Sequence, residues 1–205
     1  MARPSLREAS EEIARRSPEM ARLMALHGPC RLGRRPRRDA RFGSLARAIA
    51  YQQLAGAAAG AIWERVLGQL AGDCSARGIL EAGPEALRAA GLSAAKTASL
   101  IDLAERDLSG DLALESLGHL TDDAVVTRLT QVRGVGPWTA HMFLLFTLHR
   151  LDVWPTGDLG VRKGYALAFD LPELPAPTDL GELGERFRPY RSVAAWYCWR
   201  ACEAT

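Results

Sequence analysis

The segment Gln131-Val132-Arg133-Gly134-Val135-Gly136-Pro137-Trp138-Thr139-Ala140 constrains the fold of this chain more than any other. Before it, Val125, Val126, Leu129 and Val132 recur at helical spacing, and Asp122 and Asp123 stand where a helix N-terminus favours negative charge. Thr121 is the expected N-cap. Gly134 and Gly136 can take positive φ and let another backbone approach closely. Pro137 suits the first turn of a following helix, where its missing N–H is no loss. The pattern predicts helices over 121–132 and 137–149 joined by a tight glycine hairpin, whose exposed amides form an anion site. A plain αα-turn has the same spacing. A dinucleotide fingerprint does not fit, because Pro-Trp-Thr follows Gly136 and a helix, not a strand, precedes Gly134.

Downstream, Trp154-Pro155-Thr156-Gly157-Asp158-Leu159-Gly160-Val161-Arg162-Lys163 places a carboxylate, Asp158, at the start of another helix. As an N-cap it satisfies helix amides, and a helix N-terminus favours a negative charge there. Asp152 is the competing acid and is expected to support the loop. A loop able to grip phosphate, with an acid in the same chain, suggests chemistry on a nucleic acid.

Alanine and leucine dominate the 205 residues, β-branched runs are short, and helical periodicity recurs, so an all-α fold is expected, with one compact core or two small lobes. Helices are predicted over about 5–27 (one or two), 43–51, 56–71, 84–90, 94–108, 121–132, 137–149, 158–169, 179–187 and 191–203. Residues 1–20 read as an outer or partly frayed helix. No apolar run has the length of a membrane span, and Met1-Ala2-Arg3-Pro4 begins no apolar secretory core, so cytoplasmic residence is expected. Cys30, Cys74, Cys198 and Cys202 are scattered, as suits reduced thiols. The net charge is only +2, but Arg31, Arg34, Arg35, Arg37, Arg38 and Arg41 crowd around Pro36. Such a run suits either phosphate contact or a solvated basic loop.

The run from Leu129 to Tyr165, with its Gly/Pro loop and following aspartate, resembles the helix-hairpin-helix DNA glycosylases, the HhH-GPD superfamily. Within these it is most similar to the alkylation-repair branch, the 3-methyladenine DNA glycosylase II (AlkA-like) enzymes. Arg47-Ala48-Ile49-Ala50-Tyr51-Gln52-Gln53-Leu54, Gly91-Leu92-Ser93-Ala94-Ala95-Lys96, and Arg188-Pro189-Tyr190-Arg191-Ser192 continuing to Trp199 resemble further family segments, so the likeness spans roughly 40–202. It implies a two-lobed all-α fold with an interlobe cleft for an extruded nucleotide. The lobes would be a central one over 43–150, with its hairpin at 121–149, and a second completed by residues 151–205 together with the 1–42 extension. It implies a monomeric enzyme acting on double-stranded DNA containing damaged bases, bacterial and nucleoid-associated.

The resemblance assigns Asp158 as the catalytic aspartate, stabilising positive charge as the base–sugar bond breaks and orienting or deprotonating water. Trp138 and Trp199 match residues lining the base pocket, and Tyr190 and Trp196 are further aromatic candidates for stacking a cationic base. Gln53 and Leu54 match the wedge that fills the gap left by a flipped base, where relatives use a leucine; a helix end with Leu54 in the core explains them as well. Arg133, Gly134, Val135, Gly136, Thr139 and Lys163 are the expected DNA contacts. The carbonyls of Thr130, Val132 and Val135 could hold Na+ or K+ bridging to a phosphate. An iron–sulfur cluster needs four thiolates and only Cys198 and Cys202 lie near the C-terminus, so none is expected. Where bifunctional relatives place a Schiff-base lysine this chain has Trp138, which implies a monofunctional enzyme. A bifunctional or mismatch-specific glycosylase and a noncatalytic DNA-binding module are the alternatives.

Overall fold

The computed structural model describes residues 4–33, 35–54 and 56–203; among them the regular structure is helical, with no strand. The chain divides into two compact units, one formed by Met1–Arg35 with His149–Thr205 and the other by Pro36–Leu148. The first unit thus ends inside the basic loop, before the expected division at 42/43.

In the discontinuous unit, α1 (Leu6–Arg16) opens with a capping box in which Ser5 and Glu8 satisfy each other's backbone amides. Ser17 ends α1 and N-caps α2 (Pro18–His27), with Pro18 in the first turn. The expectation of an outer, frayed helix is corrected here. Ala9, Ile13, Met20 and Leu23 all enter one core with Trp154, Tyr165, Phe187, Val193 and Tyr197. The polar composition of this stretch conceals a single apolar face, which the end of the chain covers. Tyr197 donates its hydroxyl to the Gly28 carbonyl (3.0 Å), and Arg22 donates to the Ala168 carbonyl (2.9 Å), tying α2 to this core.

The same unit contains α9 (Leu159–Ala168), α10 (Pro177–Gly184) and α11 (Arg191–Ala201). Residues 192–198 of α11 are all buried, so this helix is the centre of the unit. It is approached most closely by α9, where Gly164 lies against the backbone of Cys198 with no room for a side chain.

The continuous unit contains α3 (Arg41–Tyr51), α4 (Gly56–Gln69), α5 (Ala76–Ala89), α6 (Ala94–Leu108), α7 (Asp122–Leu129) and α8 (Pro137–Phe146). Leu45, Ile49, Ile79, Leu87, Leu100, Leu103, Val125 and Leu129 are fully buried in it. Helix α5 was expected only from Pro84 onward. Gly83, at φ 71°, joins two helical stretches, the first N-capped by Ser75 and contributing Ala76 and Ile79 to the core, the second Leu87. The hairpin helices are shorter than predicted: α7 stops at Leu129 and α8 at Phe146.

Arg41 leaves the proposed phosphate cluster. It is buried and donates Nη1 to the carbonyls of Leu114 (3.0 Å) and Glu115 (2.7 Å), closing the 3-10 turn Leu114–His119 against α3. Arg31, Arg35, Arg37 and Arg38 are exposed, and Arg34 lies outside the described residues, as do Met1, Ala2 and Arg3. No helix among the described residues is long and apolar enough to cross a membrane.

The contact of α9 with α11 generates a stability test. Gly164→Ala puts a methyl group into the Cys198 carbonyl, so the helices must separate. Overpacking of this kind costs about 3 kcal/mol at the upper end of its usual range. Thermal unfolding should show a fall in Tm of several degrees, whereas Gly68→Ala, in open space on α4, should leave Tm unchanged or raise it.

Candidate active site

Three anchors place the loop that carries Asp158. Ser192, fully buried, donates Oγ to the Arg150 carbonyl (2.7 Å) and accepts the Val153 amide (2.9 Å). Asp152 is gripped by Arg191 (Nε–Oδ1 2.8 Å) and Arg188 (Nη1–Oδ2 2.7 Å), the supporting role expected for it. Trp154 is buried between Tyr165 and Phe187 and donates its indole N–H to the Leu180 carbonyl (2.6 Å). The loop then turns, with the Asp158 amide bonded to the Pro155 carbonyl (2.9 Å).

Asp158 is the N-cap of α9: its Oδ1 accepts the Val161 amide at 2.8 Å. The same oxygen accepts the indole N–H of Trp199 at 2.9 Å. The carboxylate is only 8% exposed, so both its position and its plane are set by protein groups. The positive end of the α9 dipole faces it. Gly160 makes the indole contact possible: a Cβ there would stand 2.8 Å from Cδ1 of Trp199 and 3.1 Å from Oδ1 of Asp158. Gly160 and Gly164, one turn apart, therefore allow α11 to lie close enough for Trp199 to reach the carboxylate. Sequence reading passed over both glycines, although their helical spacing beside the aspartate was visible.

Other residues singled out in this unit fall differently. Trp196 is buried in the core, edge-on to Tyr197 with Arg200 over its ring. It is packing, and the base-pocket expectation for it is corrected. Tyr190 sits half-buried at the start of α11. Lys163 is exposed, one turn beyond Asp158. Cys198 is buried and its thiol pKa is pushed far up by desolvation, while Cys202 Sγ faces the Gly160 carbonyl at 3.5 Å. Burial likewise pushes Cys30 up to about 12 and Cys74 to about 11, so these thiols are suited to packing rather than nucleophilic chemistry.

In the continuous unit, Thr121 caps α7 as expected, accepting the Ala124 amide. Gly134 has φ +74°, and a Cβ there would also meet Ser99 Oγ at 2.6 Å. Gly136 does not use that freedom: at φ −95° it is an extended N-cap that any residue could adopt, with open space beside it. Val135 is buried and its amide bonds the Val132 carbonyl (3.0 Å); the Arg133 amide is taken by Asp102 Oδ2 (2.7 Å). The amides of Gly134 and Gly136 have no acceptor among the described residues. Thr139 is buried, with its hydroxyl accepting from Gln52 Nε2 (3.1 Å), so its side chain faces the protein.

Where α3 ends, Tyr51–Leu54 forms a turn of type II sense, with Gln52 at φ −52°, ψ 134° and Gln53 at φ 56°. Positive φ at a glutamine costs about 1–3 kcal/mol and persists only where the surroundings impose it. Gln53 and Leu54 are exposed, Leu54 by 40%, so Leu54 is not a core residue. Beside this turn, Trp138 is 47% exposed and lines a depression of about 500 Å3 with Tyr51, Met142 and Phe146. Arg47, also on its wall, lies 4.2 Å over the Tyr51 ring.

A family model described as HhH-GPD superfamily base excision DNA repair protein matches residues 46–189. The chain belongs to that superfamily. The matched span includes the α3 turn, the hairpin and Asp158 but ends before Trp199, which joins the site through its bond to Asp158. Among relatives of this HhH-GPD protein, DNA-3-methyladenine glycosylase 1 of Schizosaccharomyces pombe is 35% identical over 202 residues, 96% of this chain and 87% of that protein. The fission-yeast 3-methyladenine DNA glycosylase Mag1, solved in complex with abasic DNA, matches with a TM-score of 0.83 at 34% identity, over 94% of this chain and 95% of that one. A DNA-3-methyladenine glycosidase from Bacillus halodurans matches with a TM-score of 0.84 at 31% identity, over 94% and 88% of the two chains.

The Gly160 contact makes a spectroscopic prediction. The Trp199 indole N–H, identified by its loss in Trp199→Phe, should exchange slowly with solvent in a 1H–15N spectrum. In Gly160→Ala the indole is displaced, and this resonance should move toward the free-indole position and exchange faster. An unchanged resonance would mean that the two helices absorb the methyl group without parting Trp199 from Asp158.

Proposed function

We propose that this chain is a monofunctional DNA glycosylase that flips an alkylated purine out of duplex DNA, hydrolyses its N-glycosidic bond and leaves an abasic site. The observation that carries the reading is the buried carboxylate of Asp158, fixed by Val161 and Trp199. Breaking the base–sugar bond develops positive charge on the deoxyribose, which a preorganised carboxylate stabilises. The water oxygen bonds C1′ as the base departs, and Asp158 accepts the water's proton.

A single acid suffices because an N-alkylated purine already carries positive charge and leaves as a neutral base. The names of the three similar proteins described above, 3-methyladenine glycosylases or glycosidases, support this lesion class. Trp199, bonded to Asp158, supplies aromatic surface on which a cationic base stacks, worth roughly 2 kcal/mol or more when desolvated. Indole cannot form a Schiff base, and Lys163 is given no nucleophilic role, so the strand stays intact.

The hairpin grips phosphate through Gly134 and Gly136, a contact that orients the enzyme without reading sequence. The carbonyls of Thr130, Val132 and Val135 are hard oxygen donors; that of Val132 also accepts the Val135 amide and keeps a second lone pair. Na+ or K+ held by them would add positive charge for the same phosphate. Base flipping costs a few kcal/mol, and Gln53 with Leu54 is the wedge that offsets it by filling the gap. The substrate places the enzyme on chromosomal DNA.

Two results test the reading. Asp158→Asn should fold and bind duplex DNA as the wild type does, yet release neutral lesions such as hypoxanthine or ethenoadenine about 100-fold or more slowly, with a smaller loss for cationic 7-methylguanine. Unchanged release by the folded variant removes Asp158 from the chemistry. In the same reactions borohydride should trap no protein–DNA adduct, and strand breaks should appear only after alkali. An adduct that disappears in Lys163→Ala would establish a lyase instead.

A further inference from the structure

The α3 turn and the hairpin are joined by side chains that have no part in the chemistry above. Lys96, in the first turn of α6, donates Nζ to the carbonyls of Ala50 (2.9 Å) and Gln52 (2.6 Å). These carbonyls belong to the end of α3, where backbone acceptors lack helical partners. Gln52 in turn donates Nε2 to the Gly134 carbonyl and to Thr139 Oγ1, both at 3.1 Å. The two residues thus form a chain of bonds from α6 through the strained turn to both ends of the hairpin loop.

We propose that Lys96 and Gln52 are positioning residues that lock the Gln53–Leu54 tip to the phosphate-gripping hairpin, so that the tip is held ready to enter a base stack. The inference rests on the glycosylase reading above. Its logic is geometric. The amides of Gly134 and Gly136 fix where the DNA backbone lies relative to α8. Gln52 bonds the carbonyl of the same Gly134, so the tip next to it stands at a set distance from that backbone. Gln53 cannot hold φ 56° by its own preference, as glycine would. The Lys96 ammonium, which holds the carbonyls of Ala50 and Gln52 toward α6, supplies the constraint. Burial lowers the Lys96 pKa, but the two carbonyls solvate its charge.

The expected signature differs from that of a general structural role. A locked wedge is needed only while a paired base has to be driven out. Single-turnover release of 7-methylguanine is therefore compared in two duplexes, one with the lesion opposite cytosine and one with it in a single-nucleotide bulge. Lys96→Met and the isosteric Gln52→Glu should each slow release from the paired site by about tenfold or more, equivalent to at least about 1.4 kcal/mol of lost transition-state stabilisation. Release from the bulge should change less than about threefold, and Lys96→Arg, which keeps donors on the carbonyls, should recover part of the paired-site rate. Equal loss on both duplexes, or none on either, overturns the proposal. Wild-type enzyme that releases 7-methylguanine from neither duplex would sink the glycosylase reading itself, a separate outcome.

Discussion

A single carboxylate oxygen, Oδ1 of Asp158, receives both the Val161 amide in the first turn of α9 and the indole N–H of Trp199. Everything near it can be understood as the means of arranging that double contact. An indole on one helix reaches the N-terminus of another only if the helices touch at backbone distance, hence Gly160 and Gly164. The loop before Asp158 holds its course because Ser192, Arg191 and Arg188 fasten it to the start of α11. Both bonds are already made in the free protein, so no reorganisation is required when charge develops on a substrate. The cap role and the proposed catalytic role fall on one group and do not conflict.

The continuous unit solves a different problem with neutral groups. It offers amides at Gly134 and Gly136 rather than a field of arginines, consistent with a net charge of only +2. Intramolecular acceptors take the neighbouring amides of Arg133 and Val135, so the anion site is narrow by construction. Of the arginines clustered near Pro36, Arg41 is spent inside the protein on two backbone carbonyls. The proposed grip and the proposed chemistry thus fall on separate stretches of chain, with Gln52 and Lys96 beside the former.

What could be read in the sequence was what is decided locally. Thr121, Asp158, Pro137 and Gly134 act within three or four residues of themselves, and each occupies the predicted structural place. The two glycines flanking Val135 look alike in the sequence, while only Gly134 has the conformation and the close neighbour that forbid a side chain. Trp196 and Trp199 lie one turn apart on α11 with identical chemistry. Their different fates, core and carboxylate partner, depend on what packs against each face, which spacing cannot reveal. The same holds for α1 and α2, whose apolar face is covered by residues from the far end of the chain, and for Arg41, whose acceptors lie in the turn Leu114–His119.

The discontinuity of the first unit bears on how the molecule is made. Residues 36–148 form an unbroken stretch that can close its own core as soon as it has left the ribosome. Helices α1 and α2 are synthesised earlier but finish later, because the surfaces that cover Ile13 and Met20 belong to α9 and α11. Contacts between such distant segments must wait for the loop between them to close. For the whole of that interval the oldest part of the nascent chain carries the uncovered apolar face, and it is there, rather than at the hairpin, that a chaperone would find its grip.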